Sequence, residues 1–249
     1  MRRVHGHLTR IHVPSALAPG AVIPLHSAPA HHLLRVLRAE VGDEIVVFNG
    51  GTEFAAAITH IDKHGVSVKL GPGNAVDRES PLACTLAQAI SGGERMDFTL
   101  QKAVELGVAR VQPLYSERSI VRLDPARAAR RSAHWRQVMI SACEQCARNI
   151  VPELEAPVPI IDWLSGLGLA QPEELRWLLT PHAHARLAER PQPRVIVLLA
   201  GPEGGLSTAE TELAQLRGFI AMRLGPRVLR TETAALAALA AVQTLWGDF

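Results

Sequence analysis

Near the C-terminal end of the chain, two glycine-rich turns carry charge where apolar runs stop. "LLAGPEGGLS" (198–207) places Glu203 among Gly201, Gly204 and Gly205; "LGPRVLRTET" (224–233) crowds Arg227, Arg230 and Glu232 behind Gly225 and Pro226. Charges between two apolar elements cost solvation unless something uses them. In open parallel sheets, ligands bind beyond the carboxyl ends of strands, where glycine lets backbone groups approach closely. This points to a small-molecule pocket framed by Gly201, Glu203, Gly204, Gly205, Leu224, Gly225, Leu229 and Arg230. The competing reading is a pair of ordinary connecting turns; two such turns, each with a carboxylate, favour the pocket. Neither turn contains G-x-x-x-x-G-K-[ST] or G-x-G-x-x-G, which disfavours a nucleoside triphosphate or a nicotinamide cofactor. What remains is a ligand held by backbone groups in a largely apolar nest.

The elements that would position these turns follow from period and punctuation. "LACTLAQAI", "VARVQPLY", "LRWLLTP", "RVIVLLAGP" and "FIAMRLG" read as strands, most of them apolar enough for burial on both faces. Between them, "RMDFTLQKAVELG" forms a helix ended by Gly107. Asp124 and Pro125 open a long one with Trp135, Val138, Met139, Ala142 and Cys146 on one face. Ser207 and Glu210 make a capping box for a helix closing at Gly218. Such alternation predicts an α/β domain with a parallel sheet over residues 78–249. Upstream, Ala30, Leu33, Leu34 and Leu37 form a helical stripe over 28–39. "EIVVFNGGTEFAAAITHIDKHGVSVKLG" then reads as three strands joined by hairpin turns. These predict a small β-barrel over residues 1–72, with "GPGNAVDRESP" as a linker.

With 47% hydrophobic and 20% charged residues in 249, the chain should bury a sizeable core. The start has basic residues but no apolar run behind them, and three cysteines are too few for a disulfide framework, so a cytoplasmic location is expected, with no membrane partner. Net charge is only +2, so local basic clusters matter more than the total. Of 26 basic residues 23 are arginine; Arg2, Arg3 and Arg10 cluster at the start, and Arg118, Arg122, Arg127, Arg130, Arg131 and Arg136 fall within nineteen residues.

The paired stretches "LLAGPEGGLSTAE" and "LGPRVLRTETAALAAL" resemble the signature of the RsmE-type methyltransferases of small-subunit ribosomal RNA, members of the SPOUT class. "HHLLRVLRAEVGDEI", "QKAVELGV", "SERS" and "ACEQCARN" are similar to further motifs of that family in the same order. The resemblance implies an N-terminal PUA-like RNA-binding barrel, a C-terminal domain with a deep trefoil knot, and a homodimer. It also implies S-adenosyl-L-methionine as cofactor and methylation of N3 of one uridine in 16S rRNA of the small subunit. General topology rules argue against knots, so periodicity could not have suggested one. By the same resemblance the cofactor would lie against Leu179 and Thr180, Ala200, Gly201 and Glu203 to Gly205, and Leu224, Gly225, Val228, Leu229, Arg230 and Thr231. RNA contact would fall to Arg10, Arg35, Arg38, Lys102 and Arg118, and base stacking near the N-terminus to His12.

Uracil N3 carries a proton and is a poor nucleophile until that proton leaves, so something must accept the proton or stabilise the anion. Arg230 is the first candidate for the anion. Glu232 would be its orienting partner or a proton acceptor, against a plain helix-terminus role; for Arg230 the competitor is a structural ion pair. Cys143 and Cys146 lie mid-helix without a second pair, and His31 with His32 and His182 with His184 lack further ligands at zinc spacing, so no metal is expected. The alanine-leucine face of 234–245 reads equally as core or as a dimer contact. Two rivals stand: a SPOUT-class methyltransferase acting on another rRNA or tRNA nucleotide, and a non-catalytic RNA-binding ribosome-assembly protein.

Overall fold

The computed structural model describes residues 8–63, 65–119, 124–183 and 192–249; Arg2, Arg3, Arg122 and His184, singled out above, lie outside them. The chain divides into two compact units, one of residues 1–79 with 143–151, the other of 80–142 with 152–249.

In the first unit, β1 (Arg10–His12), β2 (Val22–Leu25), β3 (Glu44–Asn49), β4 (Thr52–Asp62) and β5 (Gly65–Ala75) form one sheet in the order β1-β3-β4-β5-β2. β1 runs parallel to β3, and the other neighbours are antiparallel. Asn49 pairs with Thr52, leaving Gly50 and Gly51 as a two-residue turn at φ 55° and 84°. Such a turn matches strand twist only with positive φ at both positions, which is what "NGG" supplies. Along β4 the inward side chains Phe54, Ala56 and Ile58 alternate, packing with Val47, Val66, Val68 and Leu70.

Two expectations are corrected here. The helix expected over 28–39 is only α1 (Ser27–His31), continued by a π-helical turn at His32–Val36. The amide of Leu37 reaches back five residues to His32, and Ala39 donates to Leu33 across Arg38, which sits at φ 52°. The helix therefore stops in a left-handed cap without the usual glycine, while Leu33 stays buried as the stripe required. The supposed linker begins as strand: "GPGNA" extends β5 to Ala75, paired with Thr52 to Phe54. A Cβ on Gly71 would fall 2.9 Å from the Ala55 carbonyl, and one on Gly73 2.7 Å from the Phe54 ring. These glycines permit close backbone approach, which composition alone does not distinguish from flexibility.

The second unit carries β6 (Ala83–Ala89), α2 (Arg95–Glu105), β7 (Arg110–Tyr115), α3 (Pro125–Cys146), β8 (Glu153–Leu154), β9 (Val158–Pro159) and α4 (Ile160–Gly166). It continues through β10 (Glu174–Leu179), β11 (Val195–Ala200), α5 (Thr208–Leu216), β12 (Ile220–Met222) and α6 (Thr231–Trp246). Its strands are parallel, in the order β12-β10-β11-β6-β7-β8 with β9 beside β7. Five of the six residues of β11 are buried, as expected of a strand covered on both faces. Leu178, Val197, Leu199, Ala214 and Phe219 pack with Ile160 and Leu164 of α4, a helix that no motif announced. The long α3 starts in this unit, but its last turn and the segment to Val151 belong to the first. On α6, Ala235, Ala238, Leu239 and Val242 are buried within the chain, whereas Leu245 is exposed. No helix among the described residues is long and apolar enough to cross a membrane.

Candidate active site

In β10, Leu179 stands in register with Ala200 of β11 on one side and Met222 of β12 on the other. Three parallel strands thus end at one level, and the turns that follow them emerge side by side. The amide of Thr180 donates to the Met222 carbonyl (3.0 Å), joining two of the turns. They enclose a cavity of about 700 Å³, the size of a small-molecule site. Leu179, Thr180, Ala200, Gly201, Glu203, Gly204, Gly205, Leu224, Val228, Leu229, Arg230 and Thr231 all line it. Gly225 does not line it; with φ 85° it shapes the last turn instead.

Local chemistry holds the middle turn. A Cβ on Gly201 would lie 3.2 Å from both the Leu206 backbone nitrogen and its side chain, so only glycine fits without a shift, and Gly205 sits at φ 69°. Behind it the capping box closes as expected: the Ser207 hydroxyl accepts from the Glu210 amide, and Glu210 accepts from the Ser207 amide. Glu210 is buried, and its other oxygen accepts from the Glu117 amide at 2.7 Å, so one carboxylate ties the turn to the end of the β7 connection. Buried polar groups persist where they are bonded in this way.

The rim is rich in arginine. Arg95 donates to Glu203 at 2.6 Å, and Arg118 donates to the Gly204 carbonyl at 3.2 Å. Burial raises the Glu203 carboxyl, but its own amide, Arg95 and the Gly92 amide outweigh that and leave it below the usual carboxylate value. Arg223, Arg227 and Arg230 also line the cavity, and among the described residues none of these three makes an ion pair. The structural pair that competed for Arg230 is therefore absent among the described residues. Arg230 is the N-cap of α6 without a side-chain cap bond, and Glu232, two positions on, lines the cavity with a buried Oε2 that has no partner among the described residues. The sequence reading missed Arg95 and Arg223 as wall residues. Arg95 reaches the site only through the β6–α2 connection, and no local motif marks it.

The residues expected to touch RNA separate by environment. Arg10 is mostly buried: it donates to Glu53 (2.8 Å) and to Asn149, and lies 4.7 Å from the centre of the Phe48 ring, which also packs against His12. Arg35 and Arg38 are exposed on the π-helical turn and its cap. Lys102 is paired with Glu105 one turn along α2, while Arg118 is on the cavity rim. Cys143 is buried, its thiol pushed up to about 12 chiefly by burial. Among the described residues no group of three or more side chains could hold a metal ion.

A site of this kind offers backbone and apolar walls for a nucleoside-like ligand, one unpartnered carboxylate for a cation or a proton, and cations for an anion. Residues 78–243 match the family described as RNA methyltransferase domain, and residues 30–71 that described as RNA methyltransferase PUA domain. The ribosomal RNA small subunit methyltransferase E of Buchnera aphidicola (subsp. Schizaphis graminum) is 36% identical over 97% of this chain and 98% of its own length. Among solved structures, a putative methyltransferase from Legionella pneumophila in complex with SAM superposes with a TM-score of 0.93 at 41% identity, covering 98% of this chain and 100% of that one. The ribosomal RNA small subunit methyltransferase E from Neisseria gonorrhoeae, bound to S-adenosyl methionine, gives 0.89 at 42% with the same coverage. With matches of this length joined to the cavity at the three strand ends, the chain belongs to the RNA methyltransferase family of ribosomal RNA small subunit methyltransferase E.

Proposed function

We propose that this protein is an S-adenosylmethionine-dependent methyltransferase acting on N3 of a uridine in 16S rRNA of the small ribosomal subunit. The observation that carries the reading is the meeting of three in-register strand ends around one cavity, lined by twelve residues that the sequence resemblance implies for the cofactor. The donor set suits that group: Leu179, Leu224 and Leu229 supply apolar wall, the glycine turn supplies backbone, and the unpartnered Glu232 oxygen supplies a negative charge. When bound, S-adenosylmethionine supplies an electrophilic methyl group on a positively charged sulfur.

What remains falls to the side chains. Arg230, free of ion pairs among the described residues, favours the anionic uracil by drawing the charge that spreads onto O2 and O4. Glu232 takes the N3 proton on its unpartnered oxygen. Holding base and methyl donor in one cavity supplies the orientational part of the acceleration.

The match of residues 30–71 to a methyltransferase PUA domain supports reading residues 1–72 as a PUA-like barrel that meets the RNA. Arg35 and Arg38 are its phosphate contacts, joined by Lys102 and Arg118 from the catalytic domain, 78–249. The bonds held by Arg10 favour a structural part for it. The out-of-sequence order β12-β10-β11 is compatible with a SPOUT-type trefoil knot, and the exposed Leu245 on α6 with a homodimer, working in the cytoplasm.

Two measurements test this. Calorimetric titration of the purified chain with S-adenosylmethionine should show binding; no binding would leave the ribosome-assembly reading. A uridine methylation map of small-subunit rRNA from cells lacking the protein should lose one N3 mark, restored by the wild-type chain. Loss at a different kind of nucleotide would instead favour another SPOUT specificity.

A further inference from the structure

Strand β6 is apolar and buried, yet Gln88 sits in it fully buried, opposite Ala200 at the level of the cavity floor. A glutamine there is costly unless its amide is bonded. Its Nε2 donates to the Ala89 carbonyl (2.9 Å) and to the Thr231 hydroxyl (2.9 Å), while Oε1 has no partner among the described residues. The Ala89 carbonyl decides the orientation of the amide, because only nitrogen can face it. With both Nε2 hydrogens committed, the Thr231 hydroxyl must accept from Gln88, which leaves its own proton for the Gly201 carbonyl, 2.6 Å away. The chain of bonds therefore runs one way, from β6 through the first residue of α6 to the first glycine of the cavity turn.

Helix α6 has no side-chain cap: Arg230 occupies the N-cap position and makes no capping bond. Its first turn is instead registered against the sheet by the Thr231 hydroxyl, and Thr231 lies between Arg230 and Glu232. We propose that Gln88 and Thr231 are positioning residues for methyl transfer, a buried relay to the Gly201 carbonyl that sets Arg230 and Glu232 against the cofactor turn. This rests on the reading of the cavity as the methyl-transfer site. Misplacing reacting groups by about 1 Å can cost on the order of 100-fold in rate, so the relay acts on turnover more than on affinity.

The test uses the full chain with small-subunit rRNA as substrate, comparing wild type with Thr231→Val, Thr231→Ser, Gln88→Met and the double variant Gln88→Met/Thr231→Val. Thr231→Val should lower kcat by roughly 10- to 100-fold. Thr231→Ser, which keeps the hydroxyl, should recover most of kcat. Gln88→Met, at a residue outside the cavity lining, should lower kcat in the same sense while the S-adenosylmethionine Kd stays within about 3-fold, and the double variant should be no slower than Thr231→Val, because coupled residues are not additive. Retention of kcat in Thr231→Val, or parallel loss of kcat and cofactor affinity in Gln88→Met, overturns the proposal, as does failure of Thr231→Ser to rescue. If Thr231→Val does not fold, Gln88→Met reads the relay from its other end at similar side-chain volume, and an unchanged kcat there overturns it equally. A wild-type chain that neither binds S-adenosylmethionine nor methylates rRNA marks a failure of the functional reading itself, visible before any variant is compared.

Discussion

In the first unit two arginines are drawn inside. Arg10 is tied to Glu53 and Asn149 over the Phe48 ring, and Arg148 is held by Glu79. On the turn between β12 and α6, Arg227 and Arg230 remain exposed, Arg223 is half-buried, and among the described residues none of the three makes an ion pair. A guanidinium taken out of water needs partners for its donors, and removing one partner strands the other. One left in water asks nothing of the fold and remains available to an anionic ligand. The same side chain is thus structural at Arg10 and Arg148 and poised for a ligand on the turn before α6, and burial with pairing is what separates the two.

That contrast is broken most directly at Arg230. Arg230→Ala should lower kcat by about 100- to 1000-fold, as loss of a single oxyanion donor does, while the urea midpoint stays within error of wild type. If stability fell along with activity, Arg230 would belong with the structural arginines. Next in size, Arg10→Ala should destabilise the fold by about 2 kcal/mol, because Glu53 loses a bonded partner; urea unfolding followed by circular dichroism reads this out. Methylation by the folded fraction should survive.

Smaller effects sharpen the contrast. Arg35→Ala combined with Arg38→Ala should leave stability within about 0.5 kcal/mol but weaken RNA binding, lowering the slope of log affinity against log salt by about 0.7 to 0.9 for each lost phosphate contact. An unchanged slope would remove both from the RNA surface. The last prediction concerns pH. Burial raises the Glu53 carboxyl, but its bonds to Arg10, Arg78 and Asn149 prevail and hold it below the ordinary value of 4.5. A carboxyl depressed in the folded state stabilises the fold above its unfolded pKa, and that contribution is lost as pH falls through the folded value. Stability should therefore decline below about pH 4.5, and Glu53→Gln should lower stability at neutral pH while flattening the decline. Glu203 is shifted in the same direction, so its tie to Arg95 should weaken on the same acid side.

Much of the architecture is local and therefore written along the chain. The Ser207–Glu210 box, the Gly50–Gly51 turn and the apolar runs of β10 and β11 are each set by neighbours a few residues away, so pattern and punctuation suffice to read them. The stop at Arg38 escaped because the expected signal, a glycine, is missing. The "GPGNA" stretch misled because glycine serves both flexible chain and close backbone approach. The two short strands β8 and β9 hold two residues each, too few for any period to emerge.

By itself, then, the sequence determined the two glycine turns, the charges they carry and the alternation that puts them at strand ends. Only tertiary structure decided that Leu179, Ala200 and Met222 stand in one register, that Arg95 reaches Glu203, and that Gln88 reaches Gly201 through Thr231. The physical reason is range: a cap or a hairpin is closed within one stretch of backbone, whereas a cavity is bounded by residues more than a hundred positions apart, such as Arg95 and Glu203. Their proximity is set by which strands lie side by side, and hydrophobic periodicity carries no record of strand order.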